Sequence, residues 1–320
     1  QRRLKFTFVS FLILLSLILV DIFQLQTEEF DTTSQTIDRQ NLDKFYITAP
    51  RGEIYDINGE KIVRTILEPH LFINLRKITN QNLLNYKQII QYNFSELDNN
   101  EINEIFDSKE ILSLVTNLSN VEYEVRNNLL MNYDAFEIID LPIRQYIQNE
   151  LFAHTIGYLG KPNQDDTGEF INALRNNQVG KNGLERQYED FLSGTSGEII
   201  FEGSKIINFK QPIPGNDLFL SIDSLTQYVV RESLQQGIEL ANKSFASSSE
   251  IKRGAAVVLD IETGNVVSMV SLPDYDPNKF ITGISDFEYR QLDREQAFNN
   301  FAIQGLYPPG SVFKVVAYWL

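Results

Sequence analysis

Hydrophobic residues are most concentrated at the start of the chain. Fifteen residues without a charge extend from Phe6 to Val20, directly after a short basic cluster. This length lies between that of a secretory signal and that of a membrane-spanning helix. No Ala or Gly occurs before Ala49, so a signal-peptidase site is lacking and an uncleaved anchor is favoured. Because basic flanks stay in the cytoplasm, we expect residues 1–23 to comprise a cytoplasmic stub and one transmembrane helix.

Short strand and helix patterns alternate through the next part of the chain. Residues 24–42 are polar and predict a linker. Asn58-Gly59 between two short apolar runs is a strong hairpin signal. Further strands are predicted at residues 71–75, 121–125 and 136–139. An Asn-rich helical region is predicted at residues 82–118 and a second helix at residues 144–152. This mixture predicts an elongated α+β pedestal over residues 43–213.

A cluster of Pro and Gly at residues 212–215 marks a predicted boundary, and residues 214–320 then form a second domain. Residues 218–222 predict a strand, and Asp223 can cap the helix that follows. The predicted inner face of this helix consists of Leu225, Val229, Val230, Leu234, Ile238 and Ala241. Two near-continuous apolar runs then predict a hairpin that is buried on part of both faces, at residues 255–259 and 265–270.

The last residues combine a helix start with a single charged side chain. Pro308, Pro309 and Gly310 fit just ahead of a helix, and Ser311 can cap its first turn. The residues that follow are apolar apart from Lys314, which predicts a core helix. Ser311 and Lys314 are three positions apart, so their side chains share one helix face.

Lys314 is the chemically informative residue of this predicted helix. A lysine in apolar surroundings loses the hydration of its ammonium form, which lowers its pKa and favours the free amine. A neutral amine beside a hydroxyl can act as the general base for a serine nucleophile. The sequence therefore predicts an acyl-transfer site with Ser311 as nucleophile and Lys314 as general base. A capping serine beside a lysine that extends into solvent is the structural alternative.

Other motifs carry weaker signals. A second Ser-x-x-Lys pattern, at Ser249 and Lys252, lies in a polar stretch that would not desolvate the lysine. The Gly-Lys pair at residues 180–181 lacks the spacing of a phosphate-binding loop and predicts a turn. The remaining candidates are interpreted as structural residues, namely Asp274 and Asp276 in a turn between prolines and His154 as a packing or hydrogen-bonding side chain.

Composition excludes several classes of function. The 320 residues include 43 acids and 28 bases, for a formal charge of −15, and such a surface repels nucleic acid. The absence of Cys excludes disulfides, thiolate metal sites and a cysteine nucleophile. With only two histidines, a His-rich metal centre is also excluded, and we expect neither a metal nor a cofactor. The chain opens on Gln1 and stops inside an apolar run, so we expect it to be a fragment of a longer protein.

Several short motifs follow the anchor in an order that is typical of one protein family. The motifs are residues 50–56 (PRGEIYD), 58–59 (NG), 154–158 (HTIGY), 183–185 (GLE) with Tyr188, 214–217 (PGND), 254–258 (GAAVV), 275–278 (YDPN) and 305–311 (GLYPPGS). In this order, and over nearly the whole chain, the sequence resembles the class B penicillin-binding proteins, most closely the elongation-type members.

The resemblance implies a fold, an activity and a location. It implies a non-catalytic pedestal over residues 43–213, then the start of a serine transpeptidase domain with a β-lactamase-like fold. Ser311 would be acylated by the D-alanyl-D-alanine end of a peptidoglycan stem peptide and by β-lactams, with Lys314 as its base. The chain would be anchored in the inner (plasma) membrane with its bulk in the periplasm. The implied partners are the glycosyltransferase and the scaffold proteins of the elongation machinery.

The sequence departs from the family pattern at four positions. Ile57 and Phe301 stand where arginine is usual, Val312 where threonine is common and Val315 where proline is common. The Ser-x-Asn and Lys-Thr-Gly motifs of the family do not occur after Lys314 in the sequence, so we expect this chain alone to lack turnover. Three alternatives remain open: a division-type relative with the same chemistry, a catalytically silent scaffold that acts through its pedestal, and a β-lactam sensor or hydrolase.

Overall fold

The computed structural model describes residues 42–108, 111–119, 121–163, 166, 178–203, 205–244 and 250–318. The predicted anchor lies outside these ranges, as does all of the predicted linker except Leu42. Within the described part, no helix combines the length and the apolar character needed to cross a membrane. The described residues form two compact units, one with residues 42–45 and 199–209 and one with residues 46–198 and 210–318.

Short strands and helices alternate along the described chain, which confirms the predicted α+β class. The strands are β1 (Leu42–Ile47), β2 (Ile54–Tyr55), β3 (Lys61–Asn74), β4 (Leu112–Asn117), β5 (Phe136–Tyr146), β6 (Leu159–Gly160), β7 (Val179–Gly180), β8 (Gly197–Glu202), β9 (Lys205–Lys210), β10 (Leu218–Phe219), β11 (Gly254–Leu259) and β12 (Val266–Leu272). The α-helices are α1 (Leu83–Asn93), α2 (Asn99–Asp107), α3 (Tyr123–Asn132), α4 (Ala153–Ile156), α5 (Gly183–Gln187), α6 (Glu189–Leu192), α7 (Ser224–Ser244), α8 (Asn278–Thr282), α9 (Asp286–Glu295), α10 (Phe301–Gln304) and α11 (Lys314–Tyr318). Shorter 3-10 helices are Leu75–Lys77, Asn149–Phe152 and Gly310–Phe313.

The 14-residue strand β3 is the central strand of the larger sheet. It pairs in antiparallel register with β5, with β4 and with β2, and β10 adds to β2 in parallel. The β2–β3 pair is the hairpin predicted at Asn58-Gly59, and Gly59 adopts a φ of +79° in its turn. The strand predicted at residues 71–75 is the far end of β3. Strands β1, β8 and β9 form a three-stranded sheet, and β11 and β12 form the second predicted hairpin.

One apolar core lies between β3, β5 and the helices α1 and α2. Its fully buried side chains include Ile73 from the strand and Ile90 and Phe94 from or just after α1. Helix α2 begins with a capping box, because Asp98 accepts the N–H of Glu101 while the Glu101 carboxylate accepts the N–H of Asp98. The few apolar positions of the Asn-rich segment recur at helix spacing, and the segment folds as two helices for this reason.

Two segments near this core differ from the prediction. Residues 112–117 form a strand rather than the end of a helix, because their backbone pairs with the end of β3. Residues 121–125 were expected to be a strand, but they lead into α3. Val125 and Leu129 lie one helical turn apart and pack against the same core, which explains the helix.

Three further predictions are wrong in part. The predicted helix at 144–152 is divided, because β5 stays paired with β3 up to Tyr146 and a 3-10 helix follows. Leu225 and Val229, predicted to face inward, are 72% and 52% exposed, because α7 packs on β12 through the side that carries Gln227. The second half of β11, residues 257–259, is also exposed, since the described elements leave it uncovered.

Four charged side chains form a buried cluster in the larger unit. Arg51 lies 2.8 Å from a Glu185 carboxylate oxygen and 2.9 Å from one of Glu189. Arg144 lies 2.8 Å from the second Glu185 oxygen and donates to the carbonyl of Gly52 at 2.6 Å. Burial alone would raise the pKa of the Glu185 carboxyl, but the two arginines outweigh it and hold this pKa below its ordinary value. The Glu185 carboxylate is therefore ionised in the folded protein.

Replacement of Glu185 by Gln should strongly destabilise the protein. Arg144 would lose its carboxylate partner and Arg51 one of two, and breaking a buried ion pair costs about 3–5 kcal/mol. Glu53→Gln is the matched control, because Glu53 pairs with Lys61 at a partly exposed position where such pairs contribute about 0–1 kcal/mol. Urea unfolding followed by circular dichroism measures both variants. Equal losses of unfolding free energy would contradict a dominant role for the buried cluster.

Candidate active site

A helical turn starts close to the predicted place, but at Gly310, and its N-cap is Pro309, so the prediction that Ser311 caps it is wrong. Residues Gly310–Phe313 form a 3-10 helix, and α11 begins at Lys314. Pro309 precedes this turn with a φ of −63°, and its carbonyl accepts the N–H of Val312 at 3.2 Å. Because the proline ring fixes φ near this value, the backbone is organised in advance for a helical turn.

Gly310 leaves open space beside Ser311. Its φ is +53°, a conformation that residues with a side chain rarely adopt. A Cβ atom built at Gly310 meets no heavy atom within 4 Å. The approach of an extended substrate to this backbone is therefore not obstructed by the described residues.

The predicted burial of this helix is wrong for the described residues. Val312, Val315 and Val316 are 78%, 67% and 51% exposed. Lys314 is exposed as well, and among the described contacts no hydrogen bond joins its amine to Ser311. The described elements leave the apolar side chains uncovered, so here Lys314 faces solvent rather than the apolar surroundings that the pattern indicates.

Gln227 connects three elements of the larger unit. It is 1% exposed, and its amide nitrogen donates to the carbonyls of Leu151 and Met269, both at 2.9 Å. Its amide oxygen accepts the Ser268 hydroxyl at 2.8 Å and the Met269 N–H at 2.9 Å. Both donors and both acceptor positions are thus satisfied. Gln227 in this way ties α7 and β12 to the 3-10 helix at residues 149–152.

His154 provides a second connection between distant parts of the chain. Its Nε2 lies 2.8 Å from the carbonyl oxygen of Ala297, and its own carbonyl accepts the side-chain amide of Asn300 at 3.4 Å. The Tyr275 ring meets the imidazole edge to face, and its hydroxyl donates to the carbonyl of Ala153 at 3.2 Å. Burial lowers the pKa of His154 below its ordinary value, which favours the neutral ring. Because the Ala297 carbonyl oxygen can only accept, Nε2 is the nitrogen that carries the N–H. The prediction of a packing and hydrogen-bonding role is confirmed.

Asn278 and a group of aromatic rings complete this contact region. The side-chain oxygen of Asn278 accepts the backbone N–H of Tyr146, and its amide nitrogen donates to the Tyr146 carbonyl, both at 2.9 Å. Tyr158 stacks on Phe280 with ring centroids 3.9 Å apart. The other rings of the group are Tyr275, Tyr289 and Phe298. Residues of the 154–158 and 275–278 motifs, 117 or more positions apart in the sequence, are thus brought together.

Several of these residues belong to the sequence motifs, but their contacts were not predicted, and Gln227 was missed. The signal that could have found Gln227 is its spacing, since it lies three and seven positions before Val230 and Leu234 of the predicted inner face. Asp276 accepts the N–H of Asn278 at 2.9 Å, which confirms turn chemistry for this residue. Asp274 instead pairs with Arg231 of α7 at 2.7 Å. In the part of the chain that is described, no three His, Asp or Glu side chains are grouped so as to hold a metal ion.

Two family models match the chain in succession. The model of the penicillin-binding protein dimerisation domain matches residues 46–220, and that of the penicillin-binding protein transpeptidase domain matches residues 254–320. The first match alone covers more than half of the chain. The chain therefore belongs to the penicillin-binding proteins, as the order of its motifs indicated.

Individual relatives agree with this assignment. The chain is 30% identical to the peptidoglycan D,D-transpeptidase MrdA of Haemophilus influenzae, over 98% of this chain and 48% of the relative. It is 31% identical to MrdA of Escherichia coli K12, over 98% of this chain and 50% of the relative. The complex between penicillin-binding protein PBP2 and MreC from Helicobacter pylori matches with a TM-score of 0.66 and 26% identity, over 86% of this chain and 51% of that one. The chain spans about half the length of these relatives.

The neutral, buried state of His154 predicts a pH-dependent contribution to stability. Because the pKa in the folded state is lowered, the unfolded chain takes up a proton below the ordinary value of about 6.5 while the folded protein does not. The contribution is therefore lost progressively as the pH falls from about 7 through this ordinary value. We expect the advantage of the wild type over His154→Gln, measured by urea unfolding, to shrink over that range. An advantage that stays constant or grows would contradict this prediction.

Proposed function

We propose that this chain is part of a peptidoglycan D,D-transpeptidase of the elongation type. The supporting observation is the succession of a dimerisation-domain match and a transpeptidase-domain match, in a chain that is about 30% identical over 98% of its length to proteins named peptidoglycan D,D-transpeptidase. The second match includes Ser311 and Lys314 at the Ser-x-x-Lys spacing of serine acyltransferases.

In this proposal Ser311 is the nucleophile and Lys314 its base. The Ser311 oxygen attacks the carbonyl carbon between the two D-alanines of a stem peptide, while the amine of Lys314 accepts the hydroxyl proton. The terminal D-alanine leaves with a proton, and the stem peptide remains as an ester on Ser311. The amine of a second stem peptide then attacks the ester carbonyl, the bond to the Ser311 oxygen breaks, and the cross-link amide forms while Ser311 regains its hydroxyl proton from the attacking amine. The N–H groups of the first turn after Gly310 can help to stabilise the oxyanion.

The base role requires Lys314 to lose the solvent that surrounds it in the described structure. The Ser-x-Asn and Lys-Thr-Gly motifs expected from the family are also not found after Lys314 among the 320 residues. We therefore propose that turnover requires further residues that cover α11. The chain spans about half the length of its relatives. β-Lactams would acylate Ser311 in the same way, because their strained amide resembles the D-alanyl-D-alanine bond.

Location and partners follow from the same proposal. The apolar residues near the start of the sequence would anchor the protein in the inner membrane, with the N-terminus in the cytoplasm and the bulk in the periplasm. The pedestal would contact the glycosyltransferase and a scaffold protein of the elongation machinery. The Helicobacter pylori relative PBP2 forms a complex with MreC, which supports a partner of that kind. The boundary between the pedestal, residues 43–213, and the transpeptidase part is likewise part of the proposal.

A fluorescent penicillin tests the nucleophile in the full-length protein. We expect covalent labelling of the wild type and none of Ser311→Ala, because the ester forms on the Ser311 oxygen. Ser249→Ala is the matched control, since Ser249 has the same spacing to a lysine, and it should retain full labelling. A label that persists in Ser311→Ala would overturn the assignment. A wild type that is never labelled would favour a catalytically silent scaffold.

Lys314 can be tested separately as a base. Removal of a general base costs about 10²–10⁴-fold in rate, so Lys314→Ala should slow acylation by a factor in that range. Lys314→Arg keeps the positive charge but cannot release its proton, and we expect it to be as slow as the Ala variant. Stopped-flow labelling measures both rates. An Arg variant near the wild-type rate would show that Lys314 contributes charge rather than proton transfer.

The elongation type is distinguished from the division type by cell shape. Depletion of an elongation enzyme should give round cells, because wall synthesis along the cell length stops while division continues. Depletion of a division enzyme should give filaments. Light microscopy after depletion in the native host decides between them.

A further inference from the structure

One turn of the pedestal receives three hydrogen bonds from the transpeptidase part. Gln227 donates to the carbonyl of Leu151, Tyr275 to that of Ala153 and Asn300 to that of His154. The donors come from α7, from the loop after β12 and from the residue before α10. A segment of four residues, 151–154, is thus held by three separate elements of the region that follows residue 220.

His154 is the residue of this turn whose side chain donates in the opposite direction. Its Nε2 gives a hydrogen bond to the carbonyl of Ala297, which is fully buried. Asn300, three residues further on, returns a hydrogen bond to the His154 backbone. The pedestal and the segment 297–300 therefore hold each other by a reciprocal pair of hydrogen bonds. A neutral imidazole has only one N–H to give, so Ala297 receives it.

The segment held by His154 leads directly to the candidate nucleophile. Asn300 caps α10, because its side-chain oxygen accepts the N–H of Ala302 at 3.1 Å. The N–H of Phe301 donates to the hydroxyl of Ser271 on β12 at 2.9 Å. Helix α10 ends at Gln304, and only six residues separate it from Ser311. Helix α10 is thus anchored at its start, and its end leads into the short connection to Ser311.

We propose that His154 is a positioning residue that acts through Ala297 and Asn300 to place the segment carrying Ser311. This inference rests on the proposed transpeptidase function, because it assigns to the pedestal a part in the acylation of Ser311. His154 touches neither the substrate nor the reacting atoms. It acts on the position of the backbone that leads to Ser311.

Two amide variants separate the hydrogen bond from the ring. In His154→Gln the amide nitrogen falls near the position of Nε2 and can still donate to Ala297. In His154→Asn the amide nitrogen falls near the position of Nδ1 and stops short of that carbonyl. Both variants lose the ring contact with Tyr275 equally. The pair therefore differs mainly in the donor that the inference concerns.

The test is the rate constant of acylation by a fluorescent penicillin, measured with the full-length protein well below its unfolding temperature. Misplacement of reacting groups by about 1 Å can cost ~10²-fold, so we expect His154→Asn to acylate about 10-fold to 10²-fold more slowly at saturating penicillin. We expect His154→Gln to recover most of the wild-type rate. The dissociation constant of the non-covalent complex should change little, because the binding surface itself is retained.

The matched control is the other histidine of the chain. His70 is buried in β3, where Nδ1 lies 2.9 Å from the carbonyl of Glu68, and it has no described contact with residues 297–311. The variants His70→Gln and His70→Asn should acylate at the wild-type rate even where they lower the unfolding temperature. This separates positioning from a general loss of stability.

The outcomes are distinguishable from failure of the proposed function. A wild type that is not labelled would refute the transpeptidase assignment itself. With a labelled wild type, equal rates in both His154 variants and the wild type would overturn the positioning role. Equal slowing of the Gln and Asn variants would also overturn it, because the ring and not the Nε2 donor would then be responsible. Slowing by the His70 variants to the same degree would overturn it too, because a loss of stability alone would then explain the rates.

Discussion

The contact of Glu185 with two arginines is the constraint on which the larger unit depends. Arg51 precedes β2, Arg144 lies in β5 and Glu185 lies in α5, so one carboxylate joins segments that are 134 and 41 residues apart in the sequence. A charge that is buried without its partner is costly, so the folded state strongly favours the arrangement that brings these segments together. Apolar burial holds the sheet against its helices, but the cluster specifies which part of β5 meets which turn of the pedestal.

The same cluster fixes the turn that contacts the transpeptidase part. Helix α5, which carries Glu185, begins at Gly183 with a φ of +59°, and a Cβ there would lie 2.6 Å from the carbonyl of Ile156. A Cβ at Gly157 would lie 2.0 Å from the carbonyl of Asn182. Helices α4 and α5 therefore touch backbone to backbone, which glycine at both positions permits. The position of His154 in α4 thus follows from the position of Glu185.

Features that depend on residues a few positions apart were predicted from the sequence. Features that depend on contacts between distant residues were not. The hairpin at Asn58-Gly59 and the cap at Asp223, which accepts the N–H of Thr226, depend on residues a few positions apart. The segment 121–125 was assigned to the wrong class because two valines four positions apart fit a strand or a helix turn equally well. The exposure of Leu225 and of α11 could not be predicted, because a pattern shows which side chains could be buried and not what covers them. Gln227 meets Leu151 across 76 residues, and no local pattern encodes such a contact.

The direction of the hydrogen bonds in the contact region shows which side chains take part in them. The side-chain donors are Gln227, Tyr275 and Asn300, and residues 151, 153 and 154 accept these bonds through their backbone carbonyls. The side chains at positions 151 and 153 therefore take no part in these bonds; Leu151 and Ala153 pack in the interior instead. His154 is different, because its own side chain is the donor to Ala297. The identity of one pedestal side chain thus matters to the segment before Ser311, and the Glu185 cluster sets where that side chain lies.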